Sequence, residues 1–276
     1  MALLRIAAFS NGSVGGNPAG VQIGEVLPPV ETMQHVAAEV GYSETAFAAP
    51  QSDGWRVRYF SPQTEVPFCG HATIALGAAL ALQYGNQVFK LQLNGAAITA
   101  EGRHDGDALF AALQSPPTRS AQADAILVSE ALALFGYTIG DLDPALPPGA
   151  IHGGADHLLL ALKKRATLAA MSYDLASGQA LMRQAGLVTI ALVHARDRQT
   201  FDARNAFASG GVLEDPATGA AAAAFAGYLR DLNWPHGGAI NIAQGDDMGM
   251  PSRIRAEIPA VRGGSIRVSG EARLMT

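Results

Sequence analysis

The sequence predicts an α/β protein of two similar lobes, each wrapping its strands around one central helix. Three observations predict it. Short segments rich in apolar and β-branched residues recur along the whole chain and read as strands. Two segments, 70–83 and 218–230, are built almost wholly of Ala, Gly, Leu and Thr, and a helix that is apolar on every face is a buried helix. The surroundings of those two helices also recur: a strand ending in Phe, a short polar and Gly/Pro loop, one reactive side chain, then the helix. The reactive side chains, Cys69 and Asp215, lie 146 positions apart in a chain of 276 residues, which suggests an internal duplication.

In chain order, a strand at 6–9 leads into the glycine-rich loop Asn11-Gly12-Ser13-Val14-Gly15-Gly16-Asn17-Pro18-Ala19-Gly20 and a strand at 20–26. Helical spacing covers 31–40. Glu44 then stands at a loop-to-strand junction. The alternation Trp55-Arg56-Val57-Arg58-Tyr59 marks a half-solvated strand over 55–60. After the first buried helix come strands at 88–98 and 108–114. Pro116 and Pro117 break helix and ladder alike and place the linker near 115–118. The N-terminal lobe is therefore expected to cover 1–115 and the C-terminal lobe 116–276, the last strand being allowed to return to the first lobe. In the second lobe, helices are expected at 124–135 and 174–185. Strands follow at 158–162, 188–194, 239–243, 254–258 and 265–268.

Composition excludes several functions. With 19 Lys+Arg against 24 Asp+Glu the net charge is −5, which argues against a nucleic-acid partner, since such proteins displace counterions with basic residues. It argues equally against an anionic membrane surface. No apolar run approaches the ~18 to 20 residues of a membrane span. The single Cys permits no internal disulfide, and the first residues have no basic stretch ahead of an apolar one, so a reducing cytoplasm is the expected compartment. No Cys or His cluster has metal spacing and no phosphate-binding glycine motif is present, so neither a metal nor a nucleotide is expected.

Four side chains and two loops can carry chemistry. Cys69, at the start of a helix, would meet free amides and the positive end of the helix dipole, which favour a thiolate and suit a substrate carboxylate. Read alone, it is also a small buried hydrophobe. His71 is either functional or a polar residue satisfied in the first turn. Asp215, in Glu214-Asp215-Pro216-Ala217-Thr218-Gly219, is a ready helix N-cap followed by Pro at the first helical position, or a second polar group facing the substrate. Glu44 is either an exposed turn residue or, in a mainly apolar pocket, a carboxyl with a raised pKa able to act as general base and then acid. The loops 11–20 and 244–252 offer backbone amides to an anionic ligand, or are simply turns.

Five segments in this order, Asn17-Pro18-Ala19-Gly20-Val21, Ser43-Glu44-Thr45-Ala46-Phe47, Cys69-Gly70-His71-Ala72-Thr73, Glu214-Asp215-Pro216-Ala217-Thr218-Gly219 and Gln244-Gly245, resemble the PhzF-like family of phenazine biosynthesis proteins over nearly the whole chain. The resemblance implies the diaminopimelate epimerase-like fold: two pseudo-symmetric lobes, each a mostly antiparallel sheet rolled into a barrel around a central helix, with the active site between them. It implies an isomerase that needs no cofactor, moves a proton on a small carboxylic acid and forms a homodimer. Glu44 matches the family's general acid/base, and His71 and Asp215 its supporting polar residues. Asn17, Gly70 and Ala72 are expected to line the substrate, with Thr218, Gly219, Gln244 and Gly245 from the second half. The phenazine isomerase itself carries Ala-Gly-His-Pro where this chain has Cys69-Gly70-His71-Ala72. Cys69 instead resembles the first catalytic thiol of the epimerases, with Asp215 expected about where their second thiol stands. Met250 precedes Pro251 where an Arg is common in the family. A racemase using Cys69 and Asp215 as opposed bases is therefore a second expectation. A small-acid-binding protein without catalysis is a third.

Overall fold

The structure, a computed structural model, describes residues 2–106 and 108–275. The chain divides into two compact units, Met1–Gln114 with Val268–Thr276, and Ser115–Arg267. No helix among the described residues is long and apolar enough to cross a membrane.

The first unit runs β1 (Leu3–Ser10), β2 (Asn17–Ile23), α1 (Val30–Val40), β3 (Thr45–Gln51), β4 (Gly54–Phe60), β5 (Glu65–Val66), α2 (Gly70–Tyr84), β6 (Gln87–Gln92), β7 (Ala97–Asp105) and β8 (Ala108–Gln114). Pairing is antiparallel for β1–β2, β3–β4, β4–β5, β6–β7 and β7–β8. It is parallel for β2–β3 and β4–β6. The segment read as one strand over 88–98 is a hairpin. Leu93 N donates to Ala96 O at 2.8 Å, and Asn94-Gly95 between them is a strong hairpin-turn dipeptide.

The second unit runs β9 (Arg119–Gln122), α3 (Ala125–Phe135), β10 (Gly149–His152), β11 (Asp156–Ala161), α4 (Arg165–Ala169), α5 (Leu175–Gln184), β12 (Thr189–Ala195), β13 (Thr200–Ala206), β14 (Glu214–Asp215), α6 (Gly219–Asp231), β15 (Ala239–Gln244) and β16 (Ser252–Glu257). The last strand, β17 (Arg267–Leu274), pairs antiparallel with β1 and also pairs with β8, so the pairings of the first unit run in a closed circuit. In the second unit β9–β10, β10–β11, β12–β13, β13–β14 and β15–β16 are antiparallel. The pairs β11–β12 and β13–β15 are parallel.

Each buried helix is the axis of its unit. Every residue of α2 from Gly70 to Ala81 is buried, and the helix touches β1, β2, β3, β6, β7 and β8. Its small side chains are a steric requirement. A Cβ added at Gly102 of β7 would come 2.0 Å from the Gly77 carbonyl oxygen of α2, far inside contact distance, so helix and strand backbones meet directly. In the second unit α6 touches β9, β10, β11, β15 and β16, and a Cβ at Gly153 would meet the Ala224 amide nitrogen at 2.7 Å. The remaining helices cover the other sheet face: Leu158, Leu160, Ile190 and Leu192 share a core with Val128, Leu132 and Met182.

The duplication is written in the pairing itself. From β1 to β7 and from β10 to β16 the pairings follow one series: antiparallel, parallel, antiparallel, antiparallel to a two-residue strand, parallel across the buried helix, antiparallel. The same ion pair marks both copies. Arg58 Nε donates to Glu65 Oε1 at 2.7 Å and Arg204 Nε to Glu214 Oε1 at 3.0 Å, each with a second bond at 2.5 Å. This fixes a register different from the one the 146-residue spacing suggests. The loop 207–213 is longer than its counterpart 61–64, so Glu65 matches Glu214, and Cys69, the residue before α2, matches Thr218, the residue before α6. Asp215 is therefore not the counterpart of Cys69.

Candidate active site

In the first unit, two elements bring Glu44, Cys69 and His71 together. Glu44 precedes β3, and its carbonyl oxygen accepts from Gly20 N at 3.3 Å. Cys69 is the N-cap of α2 in an extended conformation, φ −143° and ψ 118°. Its carbonyl oxygen accepts the first helical bond, from Thr73 N at 3.0 Å, and the Thr73 hydroxyl at 2.6 Å. Tyr59 OH lies 2.7 Å from the same hydroxyl. Burial holds that phenol well above its ordinary pKa, so it stays a neutral hydrogen-bonding group. These bonds anchor the turn that presents Cys69 and His71.

His71 bridges the two reactive groups. Its Nδ1 lies 3.3 Å from Cys69 Sγ, and its Nε2 lies 3.4 Å from Glu44 Oε2 and 3.3 Å from Ser43 Oγ. Glu44, Cys69 and His71 are 9%, 8% and 5% exposed. A proton leaving the thiol or the carboxyl can be taken up at one ring nitrogen while the other keeps its partner, since imidazolium donates from both. The mainly apolar pocket expected for Glu44 is replaced by this histidine. The first N–H groups of an α-helix have no partner within the helix, and those of Gly70, His71 and Ala72 point to the end where a thiolate or substrate carboxylate is favoured. Asn17 is the first residue of β2 and is buried, as are Gly70 and Ala72.

In the second unit Asp215 is not the N-cap of α6; Thr218 holds that position. Asp215 lies on the two-residue strand β14, paired with Asn205, because the Arg204–Glu214 pair ties this strand to β13. Arg204 also donates to the Ala169 carbonyl at 2.8 Å. The Asp215 carboxylate accepts from Thr218 Oγ1 at 2.6 Å. Gln244 Nε2 donates to the Asp215 carbonyl at 2.7 Å and to Thr218 Oγ1 at 3.0 Å, while its Oε1 accepts from Thr218 N at 3.2 Å. Asp215, Thr218 and Gln244 thus form one buried assembly. Gly219 opens α6 and is buried. Gly245 has φ +79°, and a Cβ there would stand 2.2 Å from the Met250 carbonyl oxygen and 2.8 Å from that of Pro216, so only glycine fits this turn.

Sequence reasoning missed three contributors: the two Arg–Glu pairs, the Tyr59–Thr73 bond, and a polar chain behind β14. In that chain His157 Nδ1 lies 2.8 Å from Thr189 Oγ1, which donates to Asn205 Oδ1 at 3.1 Å. The single threonine proton goes to Asn205, so His157 Nδ1 carries a hydrogen and donates. The recurrence of Arg and Glu at matching places around each buried helix was the signal available for the first of these.

Residues 6–276 match the model of the family described as phenazine biosynthesis-like protein, PhzC-PhzF. The chain is 32% identical over 276 residues to the trans-2,3-dihydro-3-hydroxyanthranilate isomerase of Pseudomonas aeruginosa, covering 96% of this chain and 94% of that one. It is 31% identical to an uncharacterised isomerase of Mesorhizobium japonicum, covering 96% and 93%. Among solved structures, a PhzF-family phenazine biosynthesis protein of Bacillus anthracis aligns with a TM-score of 0.84 at 20% identity, over 99% of this chain and 96% of that one. A hydroxyproline epimerase of Agrobacterium vitis aligns at 0.65 with 12% identity, over 99% and 90%. Both show the fold.

Proposed function

The chain belongs to the phenazine biosynthesis-like (PhzC-PhzF) family and is an isomerase, and from that premise we propose that it moves a proton on a small carboxylate-bearing metabolite by acid–base chemistry, without a cofactor. The observation that carries this reading is the buried Glu44 carboxylate 3.4 Å from His71 Nε2. Glu44 removes the proton and returns it at another position. His71 holds the carboxylate in place and shares the proton during transfer. The amides at the start of α2 receive the substrate carboxylate and stabilise charge that develops on it, the largest single contribution available to such a reaction. Within the second unit, Thr218 and Gln244 hold Asp215 in a buried polar assembly of its own.

A second reading takes Cys69 as a base, with Asp215 opposed to it in an amino-acid racemase. The 3.3 Å separation of Cys69 Sγ and His71 Nδ1 favours it. Against it stands the register: the counterpart of Cys69 is Thr218, whose hydroxyl does not ionise near neutrality, so the two copies do not present a matched pair of bases.

The test is incubation of the protein in D₂O with pooled amino, hydroxy and cyclic carboxylic acids, followed by mass spectrometry. The proposal expects one class of acid to gain a single deuteron. Tight binding of an acid with no deuterium gained by it would overturn the proposal in favour of a binding protein.

A further inference from the structure

Glu44, Cys69 and His71 are also a set of metal donors. Their ligand atoms all lie within 4.8 Å of one another. His71 Nε2 stands 3.4 Å from Glu44 Oε2 and 3.9 Å from Cys69 Sγ. Around a tetrahedral zinc ion with ordinary bond lengths, nitrogen and oxygen donors stand about 3.3 Å apart and sulfur and nitrogen donors about 3.6 Å. The nitrogen–oxygen separation already fits; the thiol, which now lies nearer Nδ1 at 3.3 Å, must swing to the Nε2 side of the ring to share the ion.

We propose that this cluster binds a thiophilic divalent cation of the Zn²⁺ type through Cys69 Sγ, His71 Nε2 and the Glu44 carboxylate, and that the bound ion silences the enzyme by occupying its base. Thiolate, imidazole and carboxylate are the donors zinc prefers, and three protein ligands leave the fourth position to water. Charge balances: one thiolate and one carboxylate neutralise a divalent ion, so the occupied site carries no net charge in its buried setting. The positive end of α2 disfavours a cation, but that effect is small beside a metal–thiolate bond. On binding, the thiol loses its proton to solvent and no electron is transferred. Spacing along the chain does not reveal the cluster, because Glu44 arrives from a different element. The binding stands on three zinc-type donors clustered within 4.8 Å; the silencing rests on the role proposed for Glu44.

Co²⁺ is the probe. Titrating the native protein with Co²⁺ is expected to raise the near-ultraviolet thiolate-to-Co²⁺ charge-transfer band at one ion per chain, and Zn²⁺ to abolish it. Cys69→Ser, or alkylation of Cys69 in the folded native protein, should remove the band. Glu44→Gln should keep the band but weaken Co²⁺ binding by at least about tenfold, the scale set even by losing a ligand's outer partner. No band in the native protein, a band surviving loss of the thiol, or an affinity indifferent to both Glu44→Gln and His71→Asn would overturn the proposal. The two roles of Glu44 separate cleanly. Stoichiometric binding with deuteron exchange continuing under saturating Zn²⁺ keeps the metal site and overturns the base assignment. Exchange that depends on Glu44 in a protein that binds no Co²⁺ overturns the metal site and keeps the base.

Discussion

Two buried histidines in this chain do opposite things, and their surroundings decide which. His71 has a partner at each nitrogen, Cys69 on one side and Glu44 with Ser43 on the other. His157 has a partner only at Nδ1; its Nε2 is buried with no hydrogen-bond partner. Burial pushes the His157 pKa down from 6.5 to about 3, with neighbouring Asp156 opposing that shift and His152 adding to it. The sign follows. Between pH 6.5 and 3 the unfolded chain binds a proton that the folded chain refuses, so this group's contribution is complete above pH 6.5 and erodes as pH falls towards 3. The slope of unfolding free energy in that window should approach about 1.4 kcal/mol per pH unit from this residue. Urea unfolding of the native protein and of His157→Gln across pH 4 to 7 checks it: the variant should show the shallower pH dependence, and equal slopes would assign the acid sensitivity elsewhere.

At the scale of the element, α2 is a device for bringing backbone close to backbone. Gly102→Ala would put a methyl group 2.0 Å from the Gly77 carbonyl oxygen, and backbone cannot yield cheaply. The expected loss is about 3 kcal/mol, at the upper end of ordinary overpacking. Gly95→Ala, with nothing within 4 Å of its added Cβ, should stay within about 0.5 kcal/mol. Thermal unfolding of both variants checks the pair. The two buried helices were legible because their composition leaves no polar face; Glu44 at its loop-to-strand junction reads alone as an exposed turn residue, and only the resemblance of its segment implies a role for it. Other elements were not legible. The two-residue strands β5 and β14 are too short to show periodicity, yet β14 presents Asp215. Strand β13 carries Asp202 and Arg204, buried charges that no strand pattern announces; Arg196 and Arg165 neutralise the first and Glu214 the second. The turn at Asn94-Gly95 was present in the letters and was overridden by the apolar run around it. Register failed for a plain reason: a count along the chain cannot see that loop 207–213 is longer than loop 61–64.

For the molecule as a whole, one supersecondary plan is used twice, with the same pairing directions and the same Arg–Glu tie to the short strand ahead of the buried helix. The chemical divergence lies in what stands at each helix start. The first copy offers Cys69 and His71 with Glu44 beside them; the second offers Thr218 bonded to Asp215 and Gln244. An ionisable thiol in one copy and a hydroxyl in the other make the copies chemically unequal, which fits a one-base proton shuttle better than a symmetric two-base racemase. The central claim is that Glu44 is the base. The most direct measurement is the rate of deuteron incorporation from D₂O into the substrate by Glu44→Gln and by Cys69→Ala, each beside the native protein. The account predicts a loss of roughly 10²- to 10⁴-fold for Glu44→Gln, the usual scale of general-base catalysis, with Cys69→Ala keeping most of the native rate. Full exchange by Glu44→Gln, with exchange abolished in Cys69→Ala, would contradict it and make the thiol the base.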